Sequence, residues 1–171
     1  FTHDDFFNCY SIVDERCAAF FALGIAQQLQ EPVAVVCTSG SALLNYYPAI
    51  AEAFYSNIPL IVLSTDRPKH LIDIGDGQTI RQENVFENHI LFSANLIESD
   101  RFKTKNAQLI GEAFQIAISQ KGPVHVNIPF DEPLYEITDV LQKFHFPHIS
   151  MSSLDNNHID YQQFAEIWNQ A

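Results

Sequence analysis

The sequence predicts an α/β fold, a three-layer α/β/α domain built around a parallel sheet. Strand-like and helix-like patterns alternate through most of the chain, which is typical of βαβ units. Two largely apolar runs, PVAVVCTS at residues 32–39 and PLIVLSTD at 59–66, lack the polar alternation of a half-exposed strand. Strands of that kind are covered on both faces, so we expect both to lie inside the sheet.

The first elements are predicted to be a strand and a helix. The strand covers residues 7–13 (FNCYSIV), and the helix, ERCAAFFALGIAQQL, begins at Glu15. Asp14 stands directly before the helix, where a carboxylate can cap it by accepting a hydrogen bond from a backbone amide. Small side chains repeat every four residues on one helix face and allow another helix to approach closely. They are Ala18, Ala22 and Ala26.

The middle of the chain predicts a second helical segment and a long polar connection. The segment SGSALLNYYPAIAEAFYS is largely apolar, and Pro48 should kink it or mark a new first turn. Residues 67–86 are mostly polar and contain Gly75 and Gly77. A connection of this length is usually functional or disordered.

The next part of the chain predicts a strand, a helix and a strand. NHILFSANLI at residues 88–97 is typical of a strand, and residues 103–120 form an amphipathic helix. Its inward face carries Leu109, Ile110, Ala113, Phe114 and Ala117. Gly122 is expected just beyond the helix end, and Pro123 prevents its continuation. The last strand alternates apolar side chains at Val124, Val126 and Ile128.

Hydrophobic alternation fades from about residue 135. We therefore expect one domain over residues 1–138, a linker over 139–157 and the first helix of a following domain over 158–171. The sequence has no initiator Met and its opening, FTHDDF, resembles the interior of a protein. The expectation is a fragment whose domain lacks its first strand.

Charge and composition exclude several functions. The net charge of −12, from 9 basic and 21 acidic residues, argues against a nucleic-acid or anionic-membrane surface. The apolar runs fall short of the roughly 20 residues of a membrane span. Three cysteines without CxxC spacing indicate reduced, packed thiols and a cytoplasmic location.

Familiar phosphate and nucleophile motifs are absent. The chain contains neither GxGxxG nor GxxxxGK[ST], although TSGS at residues 38–41 could cradle a phosphate with backbone amides. An ordinary turn with a helix cap is the simpler interpretation. Ser39 and Ser41 lack the GxSxG context of a nucleophilic serine. A proline separates His145 from His148, so these are expected to be solvated loop residues rather than metal ligands.

Asp66 and Arg67 end the second apolar strand, where ligands of α/β sheets bind. An arginine there can grip a substrate carboxylate with two hydrogen bonds. A structural ion pair with the preceding aspartate explains it equally well, and the residues alone leave both open. Gln78, Arg81 and Gln82 in the polar connection are further candidates, although polar loop residues are usually just solvated.

The triplet Asp14-Glu15-Arg16 raises a separate question. A helix cap explains Asp14, but it does not explain Glu15, because the helix that follows is apolar on nearly every face. A carboxyl group in that position would be partly desolvated, and such a group can share or donate a proton.

Together these segments resemble the N-terminal pyrimidine-binding domain of thiamine-diphosphate enzymes. VDERCAAFFALGIAQ, PVAVVCTSGSALLNYYPAIAEAFY, PLIVLSTDRP, the DIGDGQTIRQ loop and GPVHVNIPFDEP carry the resemblance and span most of residues 11–133. TSG before NYYPA, and STDRP before GQTIRQ, are most similar to the synthases of menaquinone biosynthesis that join 2-oxoglutarate to isochorismate.

The resemblance implies a catalytic role for Glu15, which would hydrogen-bond N1′ of the cofactor's aminopyrimidine across a dimer interface. Holding the imino tautomer there makes the 4′-nitrogen a base. Thr38, Gly40 and Asn45 are expected beside the pyrimidine. The small-faced helices would form the interface of a homodimer or homotetramer.

The resemblance also implies how the substrates are held. In the family 2-oxoglutarate is decarboxylated and the four-carbon carbanion equivalent adds to isochorismate, with Arg67 and Gln78 matching residues of the substrate site. The Ser-Arg-Ser segment that the family has upstream of the glutamate is missing. The diphosphate site and its Mg²⁺ or Mn²⁺ belong to a C-terminal domain, so we expect no metal ligand in this chain and no turnover by it alone.

Two other functions remain open at this point. The first is a different thiamine-diphosphate enzyme, an acetohydroxyacid synthase or a 2-oxoacid decarboxylase, which shares the glutamate but not STDRP with GQTIRQ. The second is a non-catalytic α/β dimerisation or binding module. A free-standing nucleotide-binding domain is the weaker option.

Overall fold

The computed structural model describes residues 2, 4–131 and 137. The chain divides after Ile137 into two units, and every element below belongs to the first, Phe1–Ile137. The linker predicted over 139–157 and the helix predicted over 158–171 lie outside the described residues, and the domain boundary stays a prediction.

Three helices and four strands make up the described fold. The helices are α1 (Glu15–Leu29), α2 (Tyr47–Tyr55) and α3 (Lys103–Gln120). The strands are β1 (Val33–Cys37), β2 (Leu60–Asp66), β3 (Phe92–Asn95) and β4 (Val124–Pro129). A 3-10 helix, Gly40–Tyr46, joins β1 to α2, and short 3-10 turns lie at Lys69–Leu71, Glu87–His89 and Asp100–Phe102.

The sheet is parallel throughout and has the order β1-β2-β4-β3. Successive side chains of a strand point to opposite faces, and β2 uses both faces. Leu60 and Val62 pack with α1 and α2, whereas Ile61 and Leu63 pack with α3. This arrangement confirms the predicted α/β/α layers and places β2, buried on both sides, at the centre.

The sequence prediction for the first apolar run is only half right. β1 is an edge strand whose inward residues, Val35 and Cys37, are buried, whereas the Val36 side chain is 53% exposed. The physical reason is that α3 covers β3 and β4 but does not extend over β1, so one face of β1 stays uncovered among the described residues.

The strand predicted over residues 7–13 is wrong. This segment is irregular, and Tyr10 and Val13 are 68% and 99% exposed. Tyr10 packs its ring on Phe21 of α1, with centroids 5.5 Å apart, instead of joining the sheet. The segment therefore contacts α1 through Tyr10 and adds no strand to the sheet.

The helix predictions are confirmed. Asp14 caps α1, because its Oδ1 accepts a hydrogen bond from the Cys17 amide at 2.8 Å. Pro48 lies in the first turn of α2, as a proline that begins a new helix should. The end of α3 differs in detail, since the left-handed residue is Lys121, with φ of 50°. Gly122 is needed instead because a Cβ there would overlap the side chain of Leu91.

The packing of α2 in the hydrophobic core predicts a large loss of stability when one of its buried side chains is truncated. Ile50 is fully buried against α1 and β2, so Ile50→Ala should lower the free energy of unfolding by about 2–5 kcal/mol. Leu29→Ala is the control, because Leu29 is 59% exposed and its loss should cost under about 1 kcal/mol. Equal shifts of the unfolding midpoint in the two variants would contradict this packing.

Candidate active site

The predicted site residues gather at the carboxyl edge of the sheet. β1 ends just before Thr38, and β2 ends just before Arg67. Gln78 reaches the loop that follows β1 from the long connection after β2. Because this edge is where open α/β sheets bind ligands, the fold places the candidates where a site is expected.

Glu15 is the first residue of α1 and is half-buried. Burial raises the pKa of the Cys37 thiol to about 12 and also raises the pKa of Tyr46, and the nearby Glu15 carboxylate adds to both effects. The Tyr46 hydroxyl donates to the Val36 carbonyl at 2.7 Å. Cys37 and Tyr46 therefore stay neutral at physiological pH and form an uncharged wall beside Glu15.

The two adjacent carboxylates of the DER triplet have different surroundings. Asp14 is exposed, and its hydrogen bond from the Cys17 amide lowers the pKa of that carboxyl. Glu15 lies inside the first turn and faces the end of β1 instead. The helix needs Asp14 as its cap, which leaves Glu15 available for a ligand.

Polar groups of the long connection hold the loop of residues 38–41. The Gly40 amide donates to Gln82 Oε1 at 2.5 Å, and the Ser41 amide donates to the Gln78 carbonyl at 3.2 Å. Gln78 Nε2 donates to the Ser39 carbonyl at 2.6 Å. These two amides are engaged inside the chain, so the structure argues against their use as a phosphate cradle.

Gly40 is a position that only glycine can fill. Its φ is +90°, and a Cβ would collide with the backbone carbonyl of Gln78. Thr38 and Asn45 are exposed on either side of it, at the loop start and on the following 3-10 helix. A contact between Gly40 and a ligand stays a prediction, and its amide is committed to Gln82.

Arg67 and Gln78, the predicted substrate residues, lie in a half-exposed setting. The Nε of Arg67 is 3.6 Å from Asp76 Oδ2, and the Arg67 backbone amide donates to Asp66 Oδ1 at 2.8 Å. The side chains of Arg67 and Asp76 are 30% and 41% exposed. An incoming carboxylate can therefore reach Arg67, but it competes there with Asp76.

The structure separates Arg81 from Gln82, which the sequence left unranked. The Arg81 side chain is 80% exposed and pairs with Asp73, with Nε 2.8 Å from Oδ2. Gln82 is fully buried and bonded to residues of other segments. Arg81 therefore belongs to the outer surface of the connection, and Gln82 belongs to its anchor.

A buried polar network lies beneath this edge, and the sequence interpretation missed it. Asn127 Nδ2 donates to Asp66 Oδ2 at 2.7 Å, and the Ser64 hydroxyl donates to Asn127 Oδ1 at 2.9 Å. The Ser64 hydroxyl also lies 2.7 Å from Nε2 of His125. The available signal was polar side chains at spacing two on two buried strands, which puts them on one face of the sheet.

His125 lies in this network as a fully buried ring. Its Nε2 shares a hydrogen bond with the Ser64 hydroxyl, and the direction of that bond depends on the tautomer of the ring. The Nδ1 atom is buried and has no hydrogen-bond partner among the residues that the structure describes. Burial lowers the pKa of His125 to about 4, so the ring is neutral at physiological pH.

Within the described ranges, no group of three or more His, Cys, Asp or Glu side chains could hold a metal ion. No helix in the same part of the chain has the length and apolar character needed to cross a membrane.

Comparison with known proteins identifies a matching domain family. The profile described as "Thiamine pyrophosphate enzyme, N-terminal TPP binding domain" matches residues 1–92. Similar curated proteins carry one name, 2-succinyl-5-enolpyruvyl-6-hydroxy-3-cyclohexene-1-carboxylate synthase.

Three of these relatives illustrate the likeness. The protein of Flavobacterium psychrophilum is 67% identical over 141 residues, which cover 82% of this chain and 25% of the relative. That of Christiangramia forsetii is 53% identical over 190 residues, covering 100% of this chain and 33% of the relative. That of Phocaeicola vulgatus is 49% identical over 135 residues, covering 77% of this chain and 24% of the relative. The chain thus spans a quarter to a third of their length.

The buried histidine predicts acid-sensitive stability. The pKa of His125 is about 4 in the folded chain and near 6.5 when unfolded, so the unfolded chain binds the proton first as pH falls. Stability should be fully present above pH about 6.5 and should fall by about 3 kcal/mol towards pH 4. In His125→Gln this part of the pH dependence of unfolding should disappear.

The control for this measurement is His70→Gln, an exposed histidine whose replacement should keep the wild-type slope. Burial raises the pKa of Asp66, which favours the folded state at low pH, but Asp66 is common to all three proteins. Identical slopes for wild type and His125→Gln would contradict the assignment of a neutral, buried ring.

Proposed function

The chain belongs to the thiamine pyrophosphate enzymes, in which it is an N-terminal TPP binding domain, and from this premise we propose that it is part of a 2-succinyl-5-enolpyruvyl-6-hydroxy-3-cyclohexene-1-carboxylate synthase of menaquinone biosynthesis. The observation that carries the proposal is 53% identity to the Christiangramia forsetii synthase over the whole chain. The reaction proposed is decarboxylation of 2-oxoglutarate and addition of the four-carbon unit to isochorismate.

The residues at the carboxyl edge fit the aminopyrimidine part of thiamine diphosphate. When bound, this cofactor supplies a thiazolium ring whose C2 atom forms the bond to a 2-oxoacid and which accepts the electron pair released with carbon dioxide. Sharing a proton with a nitrogen of the heterocycle requires a titratable group that is poorly solvated. Glu15 meets this requirement, because it is half-buried beside the neutral Cys37 and Tyr46. The role proposed for Glu15 is to hold a proton at N1′ of the ring.

The other cofactor contacts proposed come from the segment after β1. Thr38 and Gly40 lie in the loop that follows the strand, and Asn45 is exposed on the next 3-10 helix. These residues would position the ring against Glu15. Because the Gly40 amide is already bonded to Gln82, Gly40 would contribute through its small size or its carbonyl oxygen.

The substrate contacts proposed are those of Arg67 and Gln78. Both substrates carry several carboxylates, and a guanidinium is the group best suited to bind one with two hydrogen bonds. Arg67 is accessible at the end of β2, and its ion pair with Asp76 is long at 3.6 Å. A substrate carboxylate would therefore compete with Asp76 for Arg67 at a position open to solvent.

The rest of the site is proposed to come from elsewhere in the protein. The Mg²⁺ or Mn²⁺ ion and the diphosphate would be held by another domain of a cytoplasmic homodimer or homotetramer. Apolar side chains on the outside of α1 support an interface there, because Phe20 and Phe21 are 43% and 47% exposed. The neighbouring Tyr10 extends this surface.

The role of Glu15 predicts that its charge is indispensable. Glu15→Gln in the complete reading frame should lower the rate of isochorismate consumption by about a hundredfold or more, because the proton at N1′ can no longer be shared. Ultraviolet absorbance follows the loss of isochorismate in the presence of thiamine diphosphate, Mg²⁺ and 2-oxoglutarate.

Asp14→Asn is the matched control for Glu15→Gln, because it removes the neighbouring charge while an amide oxygen can still cap the helix. Its rate should stay within about threefold of wild type. Retention of full activity by Glu15→Gln would instead favour a non-catalytic module. Cofactor binding without isochorismate consumption by the wild type would favour a different thiamine-diphosphate enzyme.

The role of Arg67 predicts a defect in substrate affinity. Arg67→Ala should raise the Michaelis constant of at least one of the two acids by about tenfold or more, since a charge-assisted pair is lost. Arg81→Ala removes an exposed cation from the same connection and should leave both constants near the wild-type values. Unchanged constants in Arg67→Ala would refute the assignment.

A further inference from the structure

Gln82 connects the loop after β1 to the central strands of the sheet. Its Oε1 accepts from the Gly40 amide at 2.5 Å, and its Nε2 donates to the Thr65 carbonyl and to Asn127 Oδ1 at 2.8 and 2.9 Å. The side chain is fully buried. Its carboxamide thus joins the loop after β1 to β2 and β4, with both polar atoms satisfied.

The loop around Gly40 needs such an anchor. Gly40 has a φ of +90° and is the first residue of the 3-10 helix, so its amide has no partner within that helix. Gln82 accepts from this amide, and Gln78 Nε2 donates to the Ser39 carbonyl on the other side of the same peptide. The bond to Gln82 matters because a buried amide without an acceptor is costly.

The burial and the hydrogen bonds of Gln82 support a role beyond stability. We propose that Gln82 is a positioning residue that fixes the Gly40 peptide, and with it the loop of residues 38–41, in the shape that receives the aminopyrimidine of the cofactor. This inference rests on the proposed function. Gln82 acts through Gly40, since its own side chain is inaccessible to a ligand.

The test compares three variants of the full-length protein. Gln82→Met removes all hydrogen bonds of the carboxamide at similar volume. Gln82→Glu keeps an oxygen for the Gly40 amide. Ser64→Ala is the control, because it disturbs the same network at His125 and Asn127 and removes only a 3.4 Å contact of Gln82 Nε2, while the bond between Gln82 and Gly40 stays in place.

Two readouts are independent of turnover. Hydrogen–deuterium exchange in the apoprotein reports the protection of the amides in residues 38–41, and calorimetry with thiamine diphosphate and Mg²⁺ gives the dissociation constant. In Gln82→Met, we expect exchange of this segment and the dissociation constant both to rise by about tenfold or more. Gln82→Glu keeps an acceptor for the Gly40 amide but loses both donor bonds, so its increases should be smaller than those of Gln82→Met. Ser64→Ala should stay within about threefold of wild type even where its thermal midpoint falls.

The outcomes separate this inference from the function on which it rests. Wild-type cofactor affinity in Gln82→Met overturns the inference while the proposed function stands. If Gln82→Met does not fold, the comparison is between Gln82→Glu and Ser64→Ala. The inference is overturned if the dissociation constants of both variants rise in proportion to their loss of stability. If the wild type binds no cofactor, the proposed function and the ligand named here are both overturned, whatever the hydrogen–deuterium exchange rate of residues 38–41.

Discussion

The hydrogen bond from the Gly40 amide to Gln82 is the contact on which the geometry of the carboxyl edge depends. The connection after β2 leaves the sheet at residue 67 and does not rejoin it until β3 begins at Phe92. Such a connection would ordinarily pay a large entropic cost for order. Gln82 and the fully buried Phe86 fasten its far end to the core. The part of the connection that contains Gln78 is then held over the loop of residues 38–41.

The ordering of the connection explains how its polar residues are distributed. Residues that face inward bond to the sheet or to the 38–41 loop, as Gln78 and Gln82 do. Residues that face outward form exposed ion pairs, such as Arg81 with Asp73 and Lys69 with Glu83. Exposed pairs contribute little to stability, so the inward amides account for the shape of the connection.

Local patterns in the sequence predicted the helices and the central strand well, and long-range pairing explains the failures. α1 and α3 begin and end where periodicity and capping indicate. The alternating pattern over residues 7–13 resembled a strand, but alternation does not reveal whether a neighbouring strand is there to pair with it. The exposed face of β1 has the same origin, because the reach of α3 depends on packing between distant elements.

Prediction of the candidate site met the same limit. Glu15 could be singled out because a helix cap does not explain it, and Arg67 because it follows a buried strand at the edge where α/β sheets bind ligands. Gln82 could not, since a glutamine in a polar connection looks solvated until the chain is folded. The polar side chains of β2 and β4 were visible in the sequence, but their meeting depends on the register that pairs Ser64 with Asn127.

The use of backbone amides also bears on which part of a cofactor we propose that this domain binds. A helix or loop that binds phosphate offers free amides, as in glycine-rich nucleotide-binding loops. Here the amides of Gly40 and Ser41 are consumed by the connection after β2. What the edge presents instead is a half-buried carboxylate beside a neutral tyrosine and thiol. Those groups suit a heterocycle that exchanges a proton, whereas the charge of a diphosphate requires a metal or cationic site of a different kind.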